Sequence, residues 1–170
     1  DCIGKTSLNQ LGFSEYWLNQ NVPSPNYFRN IVKLRIKDQF VQLWQSEINE
    51  SRKFANYKIF KTTFGFENYF KLLPTNLALT FCHFRCCNNK LPIEKGILYG
   101  IERNRRFCHL CNTNAIGDEF HYIFECPYFK LDRKKYIDKN LCRPNIINFQ
   151  NIFQSNDPEF LIKITIFMKK

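Results

Sequence analysis

The amino-acid sequence predicts a mainly α fold, and three observations lead to it. Apolar residues recur at three- and four-residue steps along most of the chain. Helix-opening pairs, Ser24-Pro25 and Asp157-Pro158, stand before two of these runs. Strand-like patterning is confined to a single stretch, Ile97 to Ile101, and no internal repeat is visible.

Taken in order, Leu8 to Trp17 opens the helical part. Ser24 caps a helix with Pro25 at its first position, and Phe28, Ile31, Val32, Phe40, Leu43, Trp44 and Ile48 form its core-facing stripe. Ser51 caps a short helix that turns Phe54, Tyr57 and Phe60 inward. Phe66, Tyr69, Phe70 and Leu73 suggest another before Pro74, and Thr75 caps a helix through Leu77, Phe81 and Phe84 that fades at Asn88-Asn89. Residues 88–107 lack periodicity, contain Gly96 and Gly100, and read as a connector. Asp118 to Glu125 and Tyr128 to Leu141 read as helices separated by Pro127, and Phe160 to Met168 as the last helix. The expected division is 1–87 helical, 88–143 a module with its connector, and 144–170 a C-terminal helix cut short.

The chain has 170 residues, 44% of them hydrophobic, and a formal net charge of +10. That length supports one ordinary domain with a real core, and the apolar content excludes a disordered tail. No apolar run is long enough to span a bilayer. Asn (19), Phe (18), Ile (17) and Lys (16) dominate over Arg (9) and Gly (6), so base composition stands beside selection for a polyanion as an alternative source of the lysine excess. The positive charge sits in two blocks: residues 29–61, with Arg29, Lys33, Arg35, Lys37, Arg52, Lys53, Lys58 and Lys61, and residues 85–143. The start at Asp1 and a single Met, Met168, suggest an excerpt of a longer reading frame.

Cys108, Cys111, His121 and Cys126 follow the pattern C-x2-C-x9-H-x4-C. The first pair suits a knuckle turn, and the second pair comes from or just after a short helix. Three thiolates and an imidazole favour Zn2+ over Mg2+ or Ca2+ and leave no open position for a catalytic water, so the expected ion is single and structural. The alternatives are a disulfide pair or scattered residues. His121 and Cys126 are five residues apart, about 140° around an ideal helix, so both reach one ion only if the helix ends at Pro127 and Cys126 turns inward. Asp118 and Glu119 stand where a second shell could orient His121, with helix capping the plain alternative for Asp118. Of the other cysteines, Cys2, Cys82, Cys86, Cys87 and Cys142 show no such spacing. His83, Cys86 and Cys87 make at most half a second site, and buried thiols are the simpler reading.

Arg103, Arg105 and Arg106 precede the metal motif, His109 lies inside the knuckle facing away from the ion, and Lys130, Arg133, Lys134 and Lys135 follow it. Lys130, Arg133 and Lys134 fall at helical spacing and make a basic stripe, and Phe107, Tyr122, Tyr128, Phe129 and Tyr136 interleave with the basic residues. Cations neutralise phosphates and rings stack on unpaired bases, so the cluster reads as a nucleic-acid surface; a solvated helix face over aromatic core is the alternative. Adjacent Asp-Asp, Gly-rich phosphate-loop and metalloprotease patterns are absent, and nothing in these residues argues for catalysis.

The run from Arg85 through Asn88-Asn89-Lys90-Leu91-Pro92-Ile93-Glu94-Lys95-Gly96, then Arg106-Phe107-Cys108-His109-Leu110-Cys111, then Asp118-Glu119-Phe120-His121 and Cys126-Pro127-Tyr128, resembles the C-terminal zinc-binding region of non-LTR retrotransposon reverse transcriptases. The resemblance spans about Arg85 to Tyr136. Where relatives often carry Ser and His, this chain has Asn88 and Asn89. It implies that Cys108, Cys111, His121 and Cys126 hold zinc and that the segment is a non-catalytic accessory to an upstream polymerase domain. It further implies binding to element RNA or an RNA–DNA junction in target-primed reverse transcription, in the nucleus or cytoplasm, with no membrane or small-molecule partner. The rival expectation is a purely structural zinc clip packed on the polymerase or another protein.

Overall fold

The computed structural model describes residues 2–21, 24–51, 54 and 56–170, without the side chains of Cys2, Ile3 and Trp17. Arg52 and Lys53 of the first basic block therefore lie outside the described residues, as does any role for the Cys2 thiol. The chain is mainly helical, and its one recorded β pairing among the described residues is an isolated bridge between Phe107 and Ile116. It divides into two units, Asp1–Glu50 and Ser51–Lys170.

The first unit holds α1 (Cys2–Gln10), α2 (Ser14–Asn19) and α3 (Pro25–Glu50). Pro25 opens α3 as expected, its fixed φ suiting a first helical position that needs no N–H. Phe13, Tyr16 and Phe28 form an aromatic cluster with ring centres 5.3–5.9 Å apart, and Gln39 Nε2 donates to the Gln10 carbonyl at 2.9 Å. The stripe predicted for α3 is core only in part: Ile48 is buried, Ile31, Val32 and Trp44 are half-buried, and Phe40 and Leu43 are exposed. At about 1.5 Å per residue, a helix of this length outruns what two short helices can cover.

The second unit contains α4 (Tyr57–Phe60), α5 (Tyr69–Leu72), α6 (Thr75–Arg85), α7 (Pro92–Leu98), α8 (Lys130–Tyr136), α9 (Ile146–Gln154) and α10 (Pro158–Met168). Asp157 caps α10 by accepting from the Glu159 N–H at 3.0 Å, as its sequence suggests. Asn145 caps α9 in the same manner through the Asn148 N–H. The connector expected at 88–107 contains α7, and its start at Pro92 follows the rule that placed Pro25. Ile97 to Ile101 is not a strand: Ile97 and Leu98 finish α7, and Gly100 turns the chain at φ +64°. The helix Ile146–Gln154 was not anticipated.

One aromatic-rich core runs through α4, α5, α6, α9, α10 and the segment around His121. Phe81, Ile123, Phe129, Phe149, Ile152, Leu161, Ile164 and Phe167 are almost wholly buried in it. Each side chain of this kind contributes about 1.5–3 kcal/mol relative to exposure. Phe60 stacks on Phe153 at 4.6 Å, and the Tyr122 hydroxyl donates to the Phe167 carbonyl at 2.8 Å. The divisions expected at 87/88 and 143/144 therefore do not separate packed bodies: Phe81, Tyr122 and Phe167, from the three expected parts, share a single core. Beneath it, Arg85 lies over the rings of Phe60 and Tyr69, donates to the Phe153 carbonyl and meets Glu67 at 3.0 Å.

Candidate metal centre

The cluster is assembled by a tight hairpin facing a distorted helix. Around the Phe107–Ile116 bridge, the Cys108 N–H donates to the Ala115 carbonyl at 2.9 Å and the Gly117 N–H to the Arg106 carbonyl at 2.8 Å. Asn114, at φ +53°, helps reverse the chain between the Cys pair and Ile116. Gly117 is buried against Pro92, whose ring atoms come within 2.7–3.0 Å of where a Cβ would stand. The hairpin is thus pressed onto the start of α7.

Asp118 Oδ1 accepts from the His121 N–H at 2.9 Å, capping the helical segment that follows. Residues His121–Glu125 form a π-helical turn, with the Cys126 N–H donating to the His121 carbonyl at 2.8 Å. That i→i+5 closure sets residues 121 and 126 about one turn apart, which an α-helix does not. The inward swing expected of Cys126 from the helix ending at Pro127 is achieved largely by this widened turn. Pro127 contributes by lacking the N–H that would otherwise reach the Tyr122 carbonyl.

Arg133 supplies the missing donor. Its guanidinium gives 2.7 Å to the Cys126 carbonyl and 3.4 Å to the Tyr122 carbonyl, and the residue is buried. The predicted stripe is corrected accordingly: Lys130, Lys134 and Lys135 are exposed on α8, whereas Arg133 points inward to close the π turn. Arg106 is engaged likewise, donating to the carbonyls of Ile101, beyond α7, at 2.8 Å and of Ile93, in its first turn, at 2.9 Å. Arg103 and Arg105 remain exposed, 3.8 Å from Asp118 and 3.7 Å from Glu102 respectively, and His109 is exposed.

The four predicted ligand atoms lie within 4.8 Å of one another and can hold a metal ion. Cys108 and Cys126 sulfurs are 3.8 Å apart, and the Cys111 sulfur is 3.4 Å from His121 Nε2. His121 is 4% exposed, and its Nδ1 faces the Glu125 carboxylate at 3.4 Å. The Thr113 hydroxyl and backbone N–H hold the Cys111 thiol down at about 6, whereas burial pushes Cys126 up to about 11. An ion held by all four groups would have protein donors at every corner of a tetrahedron, the arrangement of a structural site.

Neither acidic residue expected behind His121 acts there. Asp118 caps its N–H, and the imidazole partner is Glu125. Glu119 is buried and accepts from Asn89 Nδ2 at 2.8 Å and Asn56 Nδ2 at 2.6 Å, joining three segments. Burial raises its carboxyl while the Asn89 and Asn56 amides oppose the rise. Asn89 also accepts from the Leu91 N–H at 3.0 Å, which sets the entry to α7. A Glu directly after a helix cap ordinarily reads as a surface residue favoured by the helix dipole, so no sequence signal marked it. The half-site suggested for His83, Cys86 and Cys87 is not assembled: His83 is exposed, and Cys87 lies instead near Glu94 and Glu119. No helix among the described residues is long and apolar enough to cross a membrane. No protein-family model, curated protein or solved structure matches the chain.

Proposed function

We propose that this chain is a non-catalytic accessory region of a non-LTR retrotransposon reverse transcriptase, in which one structural Zn2+ organises a surface for element RNA or an RNA–DNA junction. The observation that carries the zinc assignment is the donor spacing. A tetrahedron with Zn–S near 2.3 Å and Zn–N near 2.05 Å has S···S edges of about 3.8 Å and S···N edges of about 3.6 Å. Two of the six edges here are 3.8 and 3.4 Å, and all six lie within 4.8 Å. Cys108, Cys111, Cys126 and His121 Nε2 would hold the ion, with Glu125 orienting the imidazole.

Binding to a polyanion is supported by Arg103, Arg105, His109, Lys130, Lys134 and Lys135, which flank or interrupt the cluster in sequence and are all exposed. The second reading, a structural clip alone, is favoured by one observation: Arg106 and Arg133, two cations of the same block, are spent on internal carbonyls.

One measurement tests the zinc that both readings share, and a second separates them. Metal analysis is expected to find one Zn per chain. Affinity for RNA is expected to fall as salt rises, and Lys130, Lys134 and Lys135 changed together to Ala to lower the slope of log affinity against log salt by up to about 2, at about 0.7 per lost phosphate contact. RNA binding that is absent, or indifferent to salt, leaves the clip reading standing.

A further inference from the structure

A hollow of about 260 Å³ opens directly onto the metal cluster: Cys108, His121 and Cys126 line one part of it, and Leu91, Pro92, Leu110, Tyr122 and Phe129 the rest. Its edge carries Lys90, Lys95 and His109, all exposed, against a single carboxylate, Asp118. Asp118 is already committed to the His121 N–H and stands 3.8 Å from Arg103. A second hollow of about 490 Å³ shares Lys90, Leu91, Leu110, Tyr122 and Phe129 with the first and extends to Lys169 and Lys170. The first hollow is a groove lined mainly by apolar side chains, with the exposed Lys90 and Lys95 among its lining residues.

Leu110 is the most telling residue in it. It sits at the tip of the knuckle, within the Cys108–Cys111 turn, and is 50% exposed although large and apolar. Packing does not require it there. The first hollow falls just below the roughly 300 Å³ at which pockets for whole drug-sized ligands begin, so it suits one flat group rather than an extended molecule. Single strands are held by cations that meet phosphates beside a surface that takes the bases; here that surface is aliphatic, Leu110 with Pro92, because Tyr122 and Phe129 are buried.

We propose that this groove, rather than the exposed face of α8, is the principal track for a single-stranded polynucleotide. One unpaired base seats against Leu110 and Pro92, and its flanking phosphates meet Lys90 and Lys95. This rests on the nucleic-acid reading above and specifies the strand state and the side chains involved. The chemistry required, a phosphodiester chain with an unpaired base, is shared by RNA and DNA.

The test is fluorescence anisotropy with the zinc-loaded full chain and labelled ribo- and deoxyribo-oligonucleotides, each also prepared with base-free sugars. Lys90→Ala with Lys95→Ala, both at exposed positions, is expected to weaken binding roughly tenfold and to lower the salt slope by about 1.4, at about 0.7 per contact. Leu110→Asp is expected to weaken the intact strand on the order of tenfold, and removal of the bases to do the same with the unaltered protein. Whichever sugar binds with these sensitivities identifies the source of the strand. Near-native affinity of the groove variants, with loss confined to the Lys130, Lys134 and Lys135 variant, overturns the groove while sparing nucleic-acid binding. Equal affinity for the base-free strand overturns the base seat. Failure of the unaltered protein to bind any oligonucleotide removes the underlying reading and this proposal with it.

Discussion

Cys126 owes its position to residues that are not ligands. The π turn brings it over His121, Pro127 withholds a donor, and Arg133 satisfies the carbonyls this leaves. Arg133→Met keeps much of the volume but leaves the Tyr122 carbonyl buried without a donor. It is expected to cost roughly 2 kcal/mol in denaturant unfolding, with little effect on affinity for nucleic acid. A large loss of binding without loss of stability would return Arg133 to the surface stripe. Cys111→Ser is the complementary change. It removes the ligand whose thiolate is most readily formed and is expected to abolish stoichiometric zinc in metal analysis of the purified protein.

Between elements, two close approaches set the site. In α7, a Cβ on Gly96 would stand 2.5 Å from the Arg106 side chain, which crosses the helix to reach Ile93 and Ile101. Gly96→Ala is expected to displace that guanidinium and lower stability by about 1–2 kcal/mol, measured by thermal unfolding. An unchanged midpoint would show that Arg106 can reroute without loss. Glu119 is the second tie, since both its oxygens receive amides from outside its own segment. Glu119→Ala strands the Asn56 and Asn89 amides, and roughly 3 kcal/mol of destabilisation is expected in the same assay.

In the second unit, the metal segment is part of the core and not an appendage. Ile123, Phe124 and Phe129 pack with residues of α6, α9 and α10. Chelation is therefore expected to lower the cooperative unfolding midpoint of the full chain by on the order of 10 °C, read by tryptophan-independent far-UV circular dichroism. A midpoint insensitive to chelator would mean that the aromatic core holds the π turn unaided. The same shared core explains why the expected division of the chain at 87/88 and 143/144 differs from the packing. Periodicity marks which face of each helix is apolar, but not which helix will cover it.

The gathering of Cys108, Cys111, His121 and Cys126, the Asp157 cap, the helix start at Pro25 and the helical class were legible in the sequence because each depends on residues close together along the chain. Spacing within a few residues is governed by backbone geometry, and metal donors announce themselves by chemical type. The inward turn of Arg133, the burial of Glu119, the exposure of Phe40 and Leu43, and the groove beneath Leu110 were not legible. Each is decided by what segments distant in sequence bring to the same place, where a charge is kept only if carbonyls or amides meet it and an apolar side chain is buried only if another element arrives to cover it.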